Sequence, residues 1–383
     1  MSTQAERGSG SRAGVTILAF FDRVSLFHTL APYLRGVHSR IWGGPPPKLT
    51  YTDDPDWCLH KDKNDCLIME RMFLKPPVTD LALLDGLRRR YRRVFFFNGN
   101  AGAAIQRPEV LPFVDRFYNK ALFSDKSLYT RALYGRELFT DYYHREFGVI
   151  DDPEIEPSPA PEEALSKVRV GWNIGVGDFP RRHFRQRVGV ALSRAISPRL
   201  AAPIVHLKEM LDPTPPTFEW ARSASVIDVN ARLGNPGHPT IAFHRKHLMG
   251  ILEAAANRRG WSVAKDRVSI RRYSADLRRS AITFSPFGWG ELCFRDFEAI
   301  RAGSVMVKPD MGHLATWPDV YIPQETYVPV AWDGSDLEER IAFYLANPER
   351  CRRMAENAFE LYRSRLAQLP ERAAAVLREL IDG

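Results

Sequence analysis

The stretch that decides the predicted fold is residues 285–310, SPFGWGELCFRDFEAIRAGSVMVKPD. The segment before it, Ser280–Phe284, is short, apolar and contains β-branched residues, which predicts a buried strand. The two glycines of GWG predict a turn, and apolar residues at helical spacing predict a helix that ends at Gly303. Residues 305–307 predict the next strand. The stretch is therefore predicted to form one β-turn-α-β unit.

A unit of this kind places its turn and the start of its helix at the carboxyl edge of a parallel sheet, where open α/β folds bind ligands. Glu291, Arg295, Asp296 and Glu298 are therefore predicted to cluster at that edge. The acidic residues favour the positive end of the helix dipole. Four charges beside aromatic residues also suit a polar ligand, whereas the alternative is a capped helix start that faces solvent.

Four parts of this stretch resemble the nucleotide-sugar segment of GT-B glycosyltransferases of the group 1, exostosin-like kind. They are Gly288-Trp-Gly-Glu291, Arg295-Asp-Phe-Glu-Ala299, Ala302-Gly303 and Lys308-Pro-Asp310. The resemblance implies that Glu298, within a Glu-Ala-x-x-x-Gly pattern, holds the ribose hydroxyls of the donor. The commonest version of the pattern has one more residue between its two glutamates than lies here between Glu291 and Glu298.

Length and composition fit a two-domain protein. The chain has 383 residues, of which 44% are hydrophobic, enough for a core in each of two domains. It has no apolar run long enough to span a membrane, and residues 1–14 lack an apolar signal core, so we expect a cytoplasmic protein with a disordered leader over residues 1–14. The scattered cysteines predict reduced thiols.

The domain boundary is predicted at an acidic, proline-rich segment, residues 151–161, which has the composition of an exposed connector. The predicted first domain spans residues 15–164 and opens with a strand over residues 15–21. The predicted second domain spans residues 165–350, with a strand over residues 225–230. The resemblance implies the GT-B form of the α/β class: two Rossmann-like domains face a central cleft, and helices over residues 351–383 pack back toward the first domain.

Three basic residues, His244, Arg245 and Lys246, fall in the first turns of a helix predicted over residues 241–258. Cations near a helix amino terminus oppose the helix dipole unless an anion lies between them, and a diphosphate is such an anion. In the family resembled, an Arg or Lys after this strand commonly faces the donor phosphates, so Arg245 is the candidate. A solvated basic helix is the alternative.

Two other functional hypotheses follow from charge. Asp54 and Asp56 spell the Asp-x-Asp of metal-dependent GT-A transferases, although Asp residues around a proline also suit an exposed turn. The net charge of +8 and the basic segments 88–93 and 181–187 fit a nucleic-acid-binding module. The chain has no recognisable nucleic-acid motif, which disfavours that partner. Segment 88–93 has two further interpretations: a solvated basic helix end that is favourable at the helix carboxyl terminus, or peripheral contact with the anionic inner face of a membrane.

These observations together predict a metal-independent transferase without a cofactor, which moves a sugar from a nucleotide-sugar donor to a glycan, lipid-linked or protein acceptor. Cations such as Arg245 and Lys308 would neutralise the departing diphosphate. The predicted donor-binding residues are Arg245, Gly290, Arg295, Asp296, Glu298 and Lys308, and the predicted catalytic residues are Glu291 and Asp115. Asp115 lies in a tract, residues 113–120, with a less specific resemblance to the acceptor-side half of the same family.

Overall fold

Parallel strands alternate with helices through most of the chain. The computed structural model describes residues 14–19, 31–71, 74, 79–176, 217–221, 227–234 and 237–383. The basic segment 181–187 lies outside the described residues, as does most of the predicted leader. Within the described ranges the strands form two separate parallel sheets, which confirms the α/β class.

The first sheet has six parallel strands in the order β2-β1-β3-β4-β5-β7. The strands of this half are β1 (Gly14–Leu18), β2 (Lys48–Thr52), β3 (Cys66–Glu70), β4 (Arg93–Asn98), β5 (Arg116–Asn119), β6 (Ala121–Phe123) and β7 (Val168–Val170). Its helices are α1 (Ala31–Val37), α2 (Pro55–His60), α3 (Leu81–Arg90) and α4 (Leu138–Phe147). We call this half the first unit.

The second sheet has five parallel strands in the order β13-β11-β10-β8-β9. The strands of this half are β8 (Ile227–Asn230), β9 (Val263–Ala264), β10 (Ser280–Phe284), β11 (Val305–Pro309), β12 (Leu314–Thr316) and β13 (Val328–Val330). Its helices are α5 (Pro239–Arg259), α6 (Ile270–Leu277), α7 (Phe294–Arg301) and α8 (Leu337–Ala346). We call this half the second unit, and β10, α7 and β11 form the predicted β-turn-α-β unit.

Both sheets are built from central strands that are buried along their whole length. Every residue of β3, β10 and β11 is buried, as expected for parallel strands covered by helices on both faces. In each sheet the strand order reverses beside the first strand of the unit, between β1 and β3 and between β8 and β10. Ligands of open α/β sheets bind outside the carboxyl ends of strands at such reversals. The topology therefore places a binding crevice at both carboxyl edges.

The two C-terminal helices, α9 (Pro348–Ala367) and α10 (Leu369–Asp382), return to the first unit. Helix α10 packs against α1 and β4. The backbone carbonyl of Ala373 comes so close to Gly36 that a Cβ there would lie 2.9 Å from it. The Tyr118 hydroxyl donates a 2.8 Å hydrogen bond to Glu379 on α10. The prediction that C-terminal helices pack toward the first domain is therefore confirmed.

A short antiparallel ribbon joins the two units. Strand β6 of the first unit pairs with β12 of the second, with Leu122 opposite Ala315. Close to the ribbon, the Asn173 side chain donates to the Thr316 hydroxyl at 2.9 Å and to the Pro318 carbonyl at 3.0 Å. These contacts fix the orientation of one unit relative to the other.

The predicted domain boundary is wrong in two respects. Strand β7 pairs in parallel with β5, with Phe117 opposite Val168, so the first sheet extends beyond residue 164. The acidic segment is also not an exposed connector at its start, because Asp151 is buried and accepts hydrogen bonds from the backbone N–H and the hydroxyl of Thr240 at 2.9 and 2.8 Å. Segment 151–161 thus begins at a contact between the units.

The arginines of segment 88–93 are largely engaged within the protein. Arg88 forms an ion pair with Asp115 at 2.9 Å, and Arg92 donates to the Ile381 carbonyl at 2.7 Å. Tyr91 is buried. In the part of the chain that the structure describes, no helix is both long enough and apolar enough to cross a bilayer.

Candidate functional site

A cleft of about 810 Å³ lies where the carboxyl edges of the two sheets face each other. The first unit contributes loops that follow β3, β4 and β5. The second unit contributes loops after β8 and β10 together with residues of α5, α6 and α7. The polar side chains that line the cleft are Arg71, Asn100, Lys120, Arg232, Arg245, Tyr273, Arg295 and Glu298.

Arg245 on α5 and Arg295 on α7 form the most positive part of the second-unit wall. The Arg245 Nε donates a 2.9 Å hydrogen bond to the Phe287 carbonyl, and an Arg245 Nη donates to the Gly234 carbonyl. Burial, followed by the positive charge of Arg295, lowers the pKa of Arg245. Among the described residues, no carboxylate is ion-paired with either guanidinium. Two adjacent cations held in this way favour a bound anion such as a phosphate.

Gly288 lets Arg245 lie across the loop that follows β10. A Cβ at this position would be 3.1 Å from an Arg245 Nη atom and 3.2 Å from the Cys293 sulfur. The loop then enters α7, whose first residue and N-cap also line the cleft. The amino-terminal end of α7 adds its positive dipole to this wall.

Glu298 faces the cleft from α7 and accepts a 2.8 Å hydrogen bond from the Tyr273 hydroxyl of α6. A carboxylate has four lone-pair positions and is the kind of acceptor that hydroxyl groups of a ligand need. Trp289 stands at the rim of the same cleft with 65% of its surface exposed. Its ring offers a flat face to a sugar or a base.

Arg232 follows β8 and also lines the cleft, but its charge is balanced within the protein. It forms an ion pair with the buried Asp276 at 2.8 Å, and its Nε donates to the Asp266 carbonyl at 2.9 Å. One Nη atom of Arg232 is buried without a hydrogen-bond partner among the described residues.

Asp296 and Lys308 lie behind the wall rather than on it, which corrects their prediction as donor-binding residues. Both side chains are fully buried, and their charged atoms are 3.2 Å apart. Asp296 also accepts from the Cys293 backbone N–H at 3.0 Å and from the Tyr321 hydroxyl at 2.7 Å. It therefore caps α7, and Lys308 compensates its charge.

Glu291 and Gly290 are also placed away from the cleft surface. Glu291 is fully buried, with one carboxylate oxygen 3.3 Å from the His313 ring and the other without a partner among the described residues. A Cβ on Gly290 would lie 2.2 Å from the Ala101 carbonyl oxygen, so this glycine lies at one of the close contacts between the units. Neither residue lines the cleft, which corrects Glu291 as a predicted catalytic residue and Gly290 as a predicted donor-binding residue.

Glu291 lies near a second buried carboxylate, Glu137, across the contact between the units. Glu137 caps the start of α4 and accepts from the backbone N–H groups of Ala103 and Ala104 at 3.1 Å. Burial is the main cause that raises the pKa of Glu137, and the charge of Glu291 raises it further.

Asp115, the other predicted catalytic residue, lies at the amino end of β5. It accepts from Arg88 at 2.9 Å and from the Val94 backbone N–H at 2.8 Å. Because β5 runs from Arg116 to Asn119, its carboxyl end faces the cleft and Asp115 lies at the opposite edge of the sheet. The predicted catalytic role is therefore wrong.

The acidic pair near residue 55 has a structural role at a helix start. Asp54 is the N-cap of α2 and accepts from the Trp57 N–H at 3.0 Å, while Asp56 lies in the first turn. Neither residue lines the cleft. Across the described ranges, no cluster of three or more His, Cys, Asp or Glu side chains has an arrangement that holds a metal ion.

Of the predicted site residues, the structure brings together Arg245, Arg295 and Glu298. The cleft is also lined by polar residues that were not predicted as site residues: Arg71, Asn100, Lys120, Arg232 and Tyr273. Arg232 lies two residues after the strand predicted over residues 225–230, and the rule that ligands bind beyond the carboxyl ends of strands would have identified it.

Comparison with known proteins gives only distant similarities. No protein-family model matches the chain. A stretch of 50 residues is 48% identical to Uncharacterized protein 035R of Invertebrate iridescent virus 3, and this match covers 13% of the present chain and 5% of that protein. The chain thus spans about a twentieth of the length of this curated relative.

Three of the solved structures to which the chain is similar are the following. Sucrose-phosphate synthase from Thermosynechococcus elongatus has 12% identity and a TM-score of 0.45, over 97% of this chain and 100% of that chain. An alpha-glucosyltransferase bound to UDP and a 13-mer DNA containing a HMU base has 11% identity and a TM-score of 0.43, over 98% and 100% of the two chains. Anabaena Alr3699/HepE in complex with UDP has 10% identity and a TM-score of 0.41, over 97% and 100%. At these values the comparisons assign neither a family nor an activity to this chain.

Proposed function

We propose that this chain is a glycosyltransferase that binds a nucleotide-sugar donor on the second-unit wall of the cleft and transfers the sugar to an acceptor. The observation that carries the proposal is the pairing of two kinds of group on one wall. Arg245 and Arg295 supply adjacent positive charges, and Glu298 supplies a carboxylate beside the Tyr273 hydroxyl. Phosphates need the first kind of group and sugar hydroxyls need the second.

The two arginines would act on the leaving group. When the bond between the sugar and the diphosphate breaks, negative charge develops on the phosphate oxygens. Fixed cations aimed at that position lower the barrier, because they are already oriented before the reaction starts. Arg245 is oriented by its bonds to the carbonyls of Phe287 and Gly234. Its guanidinium therefore requires no rearrangement to receive the charge.

Glu298 would hold ribose hydroxyls, in agreement with the motif resemblance. Tyr273 donates to one Glu298 oxygen at 2.8 Å and so fixes the plane of the carboxylate. Trp289 at the rim would stack on the base or on the transferred sugar. The positive charges of the wall replace those of a divalent ion, so we propose transfer without a metal and without a cofactor.

The acceptor in this proposal is a glycan or a lipid-linked molecule, and the protein acts in the cytoplasm. Peripheral contact with an anionic membrane face through segment 88–93 remains part of the proposal. Arg88 and Arg92 are held by partners within the protein. Arg89 forms a surface ion pair with Asp85 at 2.7 Å but keeps 79% of its side chain accessible, so we expect it to contribute most of this contact. Co-sedimentation with anionic and neutral vesicles at low salt tests this part separately.

The experiment that tests the proposed function is a thermal-shift screen of UDP-, GDP-, CDP- and TDP-sugars without added metal. A ligand at a hundred times its dissociation constant stabilises the folded protein by about 2.7 kcal/mol. Loss of the charged acceptor in Glu298→Gln should cost about 1.5 to 3 kcal/mol of donor binding. Glu360→Gln on the surface of α9 is the matched control. If no nucleotide sugar shifts the melting temperature of the wild type, the proposed function is wrong.

A further inference from the structure

The first-unit wall of the cleft carries a second polar cluster that the donor site does not use. The cluster consists of Arg71, Asn100 and Lys120, which follow β3, β4 and β5 respectively. These strands are neighbours in the sheet and run in the same direction. Their carboxyl ends therefore bring the three side chains to one edge, opposite Arg245 and Glu298.

The geometry of the cluster orients its donors. An Arg71 Nη donates a 3.0 Å hydrogen bond to the Asn100 Oδ1, which restrains the guanidinium. Since Oδ1 is the acceptor, the Nδ2 group of Asn100 remains a donor for a ligand. The Lys120 ammonium is mostly buried and donates to the Gly99 carbonyl at 2.9 Å, which holds it at the same edge. Two cations and an amide donor are thus fixed on this wall.

The charges around the cluster are positive toward the cleft and partly balanced behind it. Glu70 is buried next to Arg71 and partly offsets its charge, whereas Arg107 adds a positive charge nearby. Arg107 itself is 3.8 Å from Glu109. Of the described residues that line the first-unit wall, none is acidic. An anion in the cleft therefore meets the positive charges of Arg71 and Lys120 on this wall.

The cleft has room for more than the donor. Its volume of about 810 Å³ lies in the upper part of the range of roughly 300–1,000 Å³ for small-molecule sites. A donor held by Arg245, Arg295 and Glu298 occupies the second-unit wall. The first-unit wall then faces the second substrate.

We propose that Arg71, Asn100 and Lys120 form a phosphate-binding subsite, and that the acceptor is a glycan whose accepting sugar carries a phosphate group. The assignment of this subsite to the acceptor rests on the proposed function, whereas the existence of the subsite rests on the cluster alone. The guanidinium of Arg71 and the ammonium of Lys120 bind the phosphate oxygens, and the Asn100 amide donates a further hydrogen bond. The phosphate fixes the acceptor so that one of its hydroxyl groups faces the donor sugar.

The subsite is tested by calorimetric titration of the full chain with inorganic phosphate, in the presence of a saturating nucleotide from the donor screen. We expect wild type to bind phosphate, and Arg71→Gln and Asn100→Ala to weaken that binding at least tenfold and about threefold, respectively. Nucleotide affinity should change less than threefold in both variants. Arg245→Gln should show the opposite pattern, and Arg89→Gln should match wild type in both titrations. Melting temperatures confirm that each variant is folded.

Two results would overturn the subsite. In the first, wild type binds no phosphate when the nucleotide is bound. In the second, Arg71→Gln lowers the affinity for the nucleotide as much as the affinity for phosphate. If no nucleotide binds to wild type, the proposed function fails. The subsite is then decided by the phosphate affinity of the protein without nucleotide, which Arg71→Gln should weaken more than Arg245→Gln. The acceptor class is decided by transfer to glucose 6-phosphate and to glucose. Preference for glucose 6-phosphate that disappears in Arg71→Gln supports a phosphorylated acceptor, and equal use of both sugars by wild type refutes it.

Discussion

Replacement of Lys308 by methionine tests whether this cation has a structural role or binds a ligand. The Lys308 ammonium is fully buried, 3.2 Å from Asp296, and donates to the Ser285 carbonyl at 3.2 Å. Methionine has a similar length and no charge, so Lys308→Met removes the ion pair and leaves the Asp296 carboxylate buried. The change therefore tests whether Lys308 compensates Asp296 or binds the donor phosphates.

The expected loss of stability follows from the environment of Asp296. Removing one partner of a buried ion pair costs about 3–5 kcal/mol, because the other charge stays in a poorly solvated site. Asp296 retains hydrogen bonds from the Cys293 N–H, the Tyr321 hydroxyl and the Ser285 hydroxyl. Hydrogen bonds to the charged form stabilise it. We therefore expect a loss near the lower end of the range, about 3 kcal/mol.

Urea denaturation at neutral pH measures this loss as a lower midpoint at unchanged slope. In the double variant Lys308→Met/Asp296→Asn no charge is left unpaired, so we expect it to be more stable than Lys308→Met alone. Nucleotide affinity of folded Lys308→Met should stay within threefold of wild type, whereas Arg245→Gln should lose affinity with little change in stability. A Lys308→Met variant that keeps wild-type stability but no longer binds nucleotide would refute the structural role.

Three further predictions follow from the site and the contact between the units. Tyr273→Phe removes the hydroxyl that orients Glu298, so nucleotide affinity should fall by about 1 kcal/mol, with an unchanged melting temperature in the absence of ligand; unchanged affinity would contradict that role. Activity should survive dialysis against EDTA, and loss that manganese or magnesium restores would argue for a metal-dependent reaction. The pKa of Glu137 is raised in the folded protein. At a pH above the ordinary carboxyl pKa, the folded state therefore binds more protons at this group than the unfolded state does. As a result, Glu137 makes the free energy of unfolding fall as the pH rises toward its folded pKa. In Glu291→Gln this fall should be smaller. If the melting temperatures of wild type and Glu291→Gln change in parallel from pH 5 to pH 8, the charge of Glu291 does not affect the pKa of Glu137.

The sequence was sufficient to predict the class of fold and the element that carries the proposed donor site. Ser280–Phe284, the glycine turn and the helix that follows are local signals, and each is specified by residues within a few positions. Glu298 and Arg245 were found because one lies in a recognisable pattern and the other lies in the first turns of a helix where a cation needs an anion. Both line the cleft.

The errors arose where a residue's position in the chain does not determine the direction of its side chain. Asp296 and Lys308 belong to the same β-turn-α-β unit as residues that line the cleft. A capped helix start and a central strand nevertheless direct their side chains into the interior. Asp115 precedes its strand and therefore lies at the wrong edge of the sheet. Arg71 follows β3 and Lys120 follows β5, and these strands flank β4 in the first sheet. The two residues come to one edge only because of this strand order, which cannot be read from the sequence alone.

The ribbon of β6 and β12 has a consequence for producing the two halves as separate proteins. Each strand of the ribbon takes its hydrogen-bonding partner from the other unit. A fragment that ends before the second sheet would expose β6 as an unpaired edge, and the complementary fragment would expose β12. Unpaired edges recruit strands from other molecules. Each half alone is therefore expected to aggregate, whereas co-expression of both fragments should recover a soluble pair.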